Sequence, residues 1–148
     1  MKLLILNGPN LNLLGLREPA LYGRESYADL CEKCRKHAET LGISVEILQS
    51  NHEGVLIDEI QKALGVFDGI VFNPAGYTHT SVALLDALLA VGLPTVEVHL
   101  SDLKSRENFR QLSYAGMACV KTFMGQGLEG YRQAILYLKD YLAQRGTN

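Results

Sequence analysis

The chain has 148 residues, the size of one ordinary domain with a single substantial core, and a formal net charge of −2. Its Lys and Arg residues do not run in blocks, which excludes the electrostatic footprint of a nucleic-acid or anionic-membrane binder and leaves a small molecule as the expected partner. No signal pattern opens the chain, no apolar run approaches the ~20 residues of a membrane helix, and Cys31, Cys34 and Cys119 are too few for a disulfide framework, so free thiols and a cytoplasmic location are expected.

Residues 2–7 read as a buried strand, cut off by Asn7-Gly8-Pro9-Asn10. A loop then runs to Gly23. Residues 26–41 read as a helix opened by Ser26 with Asp29 three positions on, and Gly42 ends it. Within it Cys31, Cys34 and His37 form C-x2-C-x2-H; the strong helical pattern and the missing fourth ligand favour a plain helix over a metal site. Residues 45–49 form the second strand, and the capping-box spacing Ser50-x-x-Glu53 starts a helix through about Leu64, closed by Gly65.

The third strand is 69–73, followed by a helix over 80–91 that Gly92 and Pro94 stop, and the fourth strand is 95–99. A shorter helix is expected after Ser105. The last unit is a strand over 119–124 and a helix over about 129–144. Five short strands, read as apolar on both faces and alternating with five helices, indicate a parallel sheet covered on both sides, an α/β three-layer sandwich. The strand order is flavodoxin-like 2-1-3-4-5 or Rossmann-like 3-2-1-4-5, which strand count alone does not separate.

In such a sheet ligands bind beyond the carboxyl ends of the strands, near the point where the order reverses. That rule selects the residues after strand one, residues 73–81 after strand three and residues 97–101 after strand four. In the 2-1-3-4-5 order these ends converge on one crevice. The loop before Gly23 carries Arg17 and Tyr22 in a segment with little hydrophobic periodicity, which suits it to presenting groups rather than to a core. A phenol is a poor base at neutral pH, but a neighbouring cation favours its phenolate, so this pair is able to abstract a proton.

Asn73 either begins a turn at Pro74 or meets a ligand at the rim, and its place after four apolar strand residues favours the ligand. His79 either caps the following helix or serves the crevice; local sequence leaves both open. His99, directly after an apolar strand, is either a satisfied rim histidine or a general acid or base. Arg110 is either a solvated charge or a fork for a substrate carboxylate.

Gly125-Gln126-Gly127-Leu128-Glu129-Gly130 fits the dinucleotide pattern G-x-G-x-x-G between a strand and a helix. That motif requires a following strand to bring an acidic residue to the ribose, and here a helix runs on to the end of the sequence, so a tight turn is the expected role. A nucleotide-dependent oxidoreductase built on this turn, and a flavodoxin-like receiver or binding module, are the competing readings. The receiver would want an acidic cluster at the strand ends, where this chain has Asn, His and Ser.

Taken together, LNGPNLNLLG at 6–15, REPALYG at 17–23, QSNHEG at 49–54, NPAGYTHTSVAL at 73–84, EVHLS at 97–101 and RENFRQLSY at 106–114 closely resemble the type II 3-dehydroquinate dehydratases. The likeness spans nearly the whole chain. It implies a flavodoxin-like sheet of order 2-1-3-4-5 in a single catalytic domain, and reversible dehydration of 3-dehydroquinate to 3-dehydroshikimate through an enolate without a Schiff base. It implies Tyr22 as general base, Arg17 as the cation that lowers its pKa, and His99 as general acid. Asn10 would help hold a water near the enolate oxygen, while Asn73, His79, Arg110 and the Leu100-Ser101 backbone would hold the substrate's carboxylate and hydroxyls. Asp86 would reach a neighbouring subunit of a homododecamer, a tetramer of trimers. No metal or organic cofactor is implied. Leu85 stands where many relatives have Arg, Gly76 where Ala is frequent, and Leu112 where His often precedes Ser-Tyr.

Overall fold

The computed structural model describes residues 1–16, 20 and 24–146. Its five strands are β1 (Lys2–Asn7), β2 (Ser44–Gln49), β3 (Gly69–Asn73), β4 (Thr95–His99) and β5 (Lys121–Met124). They form one sheet of order β2-β1-β3-β4-β5, parallel throughout. The flavodoxin-like order is therefore the one adopted. Among the described residues, four α-helices cover it: α1 (Tyr27–Thr40), α2 (Glu53–Lys62), α3 (Val82–Val91) and α4 (Glu129–Gly146).

Strand alternation sorts the apolar side chains into two layers. Leu3 and Ile5 of β1, Val71 of β3, and Val96 and Val98 of β4 pack with Leu30, Cys34, Tyr131, Ile135 and Leu138 of α1 and α4. Leu4, Leu6, Ile70 and Phe72 point the other way and pack with Leu56, Ile60, Leu84 and Leu88 of α2 and α3. Cys31 and Cys34 belong to the first layer, as the helical reading of that motif requires.

The expectation of strands apolar on both faces fails at β4. Val96 and Val98 face one layer, but Thr95, Glu97 and His99 occupy the other face and are equally buried. A fully buried strand tolerates such a face only where its polar groups are compensated: Thr95 donates to the Leu93 carbonyl at 3.0 Å, Glu97 accepts from Ser113 and Thr122, and His99 Nε2 stands 2.9 Å from the Glu97 carboxylate.

The shorter helix expected after Ser105 does not take α form. After β4 the chain makes 3-10 turns at Leu103–Ser105, Asn108–Arg110 and Ala115–Ala118 instead. Side chains compete with the helical pattern there: Asp102 accepts from the Lys104 amide at 3.0 Å, and the Gln111 side chain donates to the carbonyls of Leu103 at 2.7 Å and Arg106 at 3.1 Å.

Capping follows the same logic. Ser26 and Asp29 form the expected reciprocal box at the start of α1. Ser50 and Glu53 do not, because the Ser50 hydroxyl is taken by the His52 amide at 3.0 Å and α2 begins after His52. The helix expected from Thr80 begins at Val82, where Ser81 caps it through the Leu84 amide at 3.0 Å. Gly125 and Gly127 take positive φ values of 80° and 56° and turn the chain from β5 into α4, the last element, so no strand follows this motif among the described residues.

Candidate active site

β1 and β3 are the neighbours at which the strand order reverses, and a cleft of about 210 Å³ opens beyond the carboxyl ends of β1, β3 and β4. Pro9, Asn10, Asn73, Gly76, His79, His99, Leu100, Ser101, Arg106 and Arg110 are among its lining residues. Seven sequence-predicted residues thus meet in one place. Asp86 does not: it is exposed on α3 and is not part of this cleft's lining. Arg17 and Tyr22 lie outside the described residues.

Close approach of two strand-end loops shapes the floor. The Gly8 amide donates to the Asn73 carbonyl at 2.8 Å, and a Cβ on Gly8 would stand 2.5 Å from the Pro74 carbonyl oxygen, a clash that only glycine avoids. Among the described residues, Asn10 at φ 70° and Ala75 at φ 53° are the non-glycine residues with positive φ, and both line the cleft. Such backbone persists where surrounding contacts over-determine it. The Asn10 amide donates to Asn51 Oδ1 at 2.9 Å, and the Asn73 Oδ1 accepts from the Ala75 amide at 3.1 Å.

His79 does not cap α3. Its Nδ1 donates to the Leu112 carbonyl at 2.8 Å, which fixes the tautomer and leaves Nε2 as an acceptor when the ring is neutral. Burial depresses its pKa below the ordinary 6.5, with the charges of Arg110 and His99 acting in the same direction against the Leu112 carbonyl and Glu97. At neutral pH His79 is therefore an uncharged acceptor, suited to a ligand hydroxyl.

His99 Nε2 lies 2.9 Å from Glu97 Oε2, and both side chains are almost fully buried. The two atoms are close, but the approach does not have hydrogen-bond geometry. Ser113 donates to the same carboxylate oxygen at 2.5 Å and Thr122 to the other at 2.9 Å. Burial pushes the Glu97 carboxyl up, but His99, Ser113 and Thr122 outweigh it and hold it below the usual carboxylate range. A buried carboxylate that stays ionised holds a neighbouring imidazole in place.

Two guanidinium groups reach the cleft. Arg110 Nε donates to Glu107 at 2.7 Å, which leaves the outer edge of its fork for a carboxylate. Arg106 Nη1 donates to the Ser101 hydroxyl at 3.2 Å. Arg106 and Glu97 were not singled out from sequence. Glu97 was detectable, since a Glu two residues before a strand-end His shares its face; Arg106 was not, because the segment after β4 lacks the periodicity that would orient it.

None of the seven lysines lines the cleft, and none is buried. No helix among the described residues is long and apolar enough to cross a membrane.

Comparison with known proteins gives the same answer at every level. The family model described as dehydroquinase class II matches residues 1–139. A 3-dehydroquinate dehydratase 2 of Pseudomonas putida is 50% identical over 145 residues, covering 98% of this chain and 97% of that protein. A catabolic 3-dehydroquinase 1 of Fusarium vanettenii is 50% identical over 134 residues, 90% of this chain and 93% of that one. Among solved structures, the type II dehydroquinase of Butyrivibrio crossotus superposes with a TM-score of 0.93 at 47% identity, covering 94% of this chain and 97% of the other. Matched over residues 1–139 and half identical to relatives along nearly its full length, the chain belongs to the class II dehydroquinase family.

Proposed function

We propose that this protein dehydrates 3-dehydroquinate to 3-dehydroshikimate by general base and general acid catalysis through an enolate. The observation that carries the reading is the Glu97–His99 pair, a proton donor held by a buried carboxylate, opening on a cleft that also presents Arg106 and Arg110. Family membership supports the same substrate.

The substrate is a cyclic ketone with a carboxylate and a hydroxyl β to its carbonyl. Tyr22, as phenolate, takes a proton from the α carbon, and the electrons of that C–H bond form the enolate. Arg17 favours the phenolate and stabilises the developing charge. The enolate collapses as the C–O bond to the β hydroxyl breaks, and His99 supplies the proton with which that oxygen leaves as water. Asn10 holds a water against the enolate oxygen. Asn73, the Leu100-Ser101 backbone and Arg110 bind the carboxylate and hydroxyls, and the neutral Nε2 of His79 accepts from a hydroxyl. The chemistry calls for no metal or organic cofactor.

A loop bearing Arg17 and Tyr22 would close over the crevice and keep water from the charged intermediate. Asp86, exposed on α3, is suited to complete the site of a neighbouring subunit in a homododecamer, a tetramer of trimers. We place the reaction in the shikimate pathway and in the cytoplasm, where the free cysteines of this chain stay reduced. The identical dehydration also belongs to the catabolic quinate route, and the Fusarium relative is named a catabolic 3-dehydroquinase.

The test is direct. Purified protein mixed with 3-dehydroquinate should generate the absorbance of a conjugated enone, and its absence at high enzyme concentration would overturn the reading. A parallel sample with NADH, free of spectral shift or quenching, separates it from the oxidoreductase alternative.

A further inference from the structure

β1 and β3 end side by side, and their last residues, Asn7 and Asn73, are register partners. Both amides are buried, Asn7 at 0% exposure and Asn73 at 3%. Between them sits the hydroxyl of Tyr131, near the start of α4 and itself 1% exposed. The phenol donates to Asn7 Oδ1 at 2.6 Å and accepts from Asn73 Nδ2 at 3.0 Å. Asn73 Oδ1 in turn accepts from the Ala75 amide at 3.1 Å, and Ala75 holds the positive φ of 53° at the cleft wall.

This relay fixes which way the Asn73 amide faces. Its oxygen must meet the Ala75 N–H, because a flipped amide would set two donors against each other. Its nitrogen then meets the phenol oxygen with one hydrogen and keeps a second. Asn73 lines the cleft, so that second N–H is the one available to a ligand. Burial raises the Tyr131 pKa well above the ordinary value, so the phenol stays a protonated donor toward Asn7 throughout the working range.

The hydroxyl is not needed for packing. The Tyr131 ring lies in the apolar layer with Ile135 and Leu138, where phenylalanine would fill nearly the same volume. The geometry points to Tyr131 as a positioning residue of the active site: its hydroxyl locks the Asn73 amide in the orientation that presents an N–H to the substrate, and through Asn73 steadies the left-handed turn at Ala75. This inference rests on the proposed function, in which Asn73 holds substrate. Tyr131 itself touches no reacting atom.

A purely structural hydroxyl would contribute stability alone. A positioning one must show in substrate binding, and only while Asn73 is present. Steady-state kinetics of Tyr131→Phe on 3-dehydroquinate should give a KM raised about tenfold with kcat within about twofold, as expected when uniform binding is lost. The pH profile should not move. In an Asn73→Ala background the same substitution should leave KM unchanged, the non-additivity of residues acting as a unit. Leu138→Ala, in the same helix and layer, controls for stability: it should lower the melting temperature without raising KM.

A wild-type KM in Tyr131→Phe, or a KM increase that adds in full to that of Asn73→Ala, overturns the proposal. Should Tyr131→Phe fail to fold, Asn7→Ala removes the acceptor that orients the hydroxyl, and a wild-type KM there overturns it equally. A wild-type protein that converts no 3-dehydroquinate refutes the proposed function and this inference together; an active wild type with the additive pattern refutes the role of Tyr131 alone.

Discussion

Glu97 and His99 stand two residues apart on β4, and that spacing puts both on the one polar face of a strand whose other face is Val96 and Val98. The 2.9 Å approach of Glu97 Oε2 to His99 Nε2 follows from strand periodicity rather than from a special loop. A rigid, buried strand is the most exact support a proton donor can have.

Glu97→Gln keeps the shape and removes the charge. Turnover should fall about 10- to 100-fold with little change in KM, less than the ~10²–10⁴ that a general acid supplies when lost outright. Stability should respond as well. The folded pKa of Glu97 is depressed, so its carboxylate contributes stability above the ordinary carboxylate pKa of 4.5 and loses it as pH falls through the lower folded value. Denaturation midpoints measured from pH 6 downward should therefore drop less steeply in Glu97→Gln than in wild type. Parallel curves and unchanged turnover would refute both roles.

His79 should titrate below 6.5, since burial and the nearby cations disfavour its charged form. The unfolded chain binds this proton first, so stability rises with pH across the window between the depressed folded value and 6.5, and the acceptor at Nε2 is lost below that window. An NMR titration of the four histidines, with His79→Gln for assignment, reads it directly. A midpoint at or above 6.5 for this ring contradicts the assignment of a neutral acceptor.

Much of this was legible in the sequence, for physical reasons that differ from element to element. Buried strands such as LLILN and GIVFN announce themselves by continuous apolar character, and helices α1 and α3 by periodicity between glycine stops. The strand order was not legible from residue pattern, because both candidate orders use the same units. After Ser105 the expected shorter helix takes only 3-10 form, since local bonds from Asp102 and Gln111 to the backbone carry no periodic trace. At the site, Asn73, His99 and Ser101 could be found from strand ends alone. Tyr131 could not: a tyrosine in an apolar helix face reads as core until its hydroxyl is seen between Asn7 and Asn73.

The base assignment rests on sequence, from the pairing of Tyr22 with Arg17 in a presenting loop. Tyr22→Phe should lose orders of magnitude in turnover while far-UV dichroism and melting temperature hold, because only the proton acceptor is gone. Arg17→Ala should raise the pKa of the Tyr22 base, moving the acidic limb of the pH–rate profile to higher pH, as well as reduce turnover. Near-wild-type turnover in Tyr22→Phe, or an acidic limb that stays in place in Arg17→Ala, would count against the respective role.

Assembly bears on activity if Asp86 serves a neighbouring subunit. Its exposure on α3, away from the cleft of its own chain, leaves it available for that contact. Activity should then follow the oligomer on dilution, and Asp86→Ala should raise KM without unfolding the protein. Sedimentation of a fully active monomer would refute the shared site.

The remaining alternative for the same dehydration is an imine between the ketone and a lysine. Such a lysine must be desolvated or set beside another cation so that its amine is neutral at working pH. Lys2, Lys33, Lys36, Lys62, Lys104, Lys121 and Lys139 are none of them buried, and none lines the cleft. Lys33, Lys36 and Lys62 instead form surface pairs with Glu25, Glu32 and Glu59. Borohydride added together with substrate should therefore leave the protein active and unlabelled. A reduced substrate adduct on any of these lysines by mass spectrometry, with activity lost in proportion, would force the enolate route through Tyr22 and His99 to be abandoned.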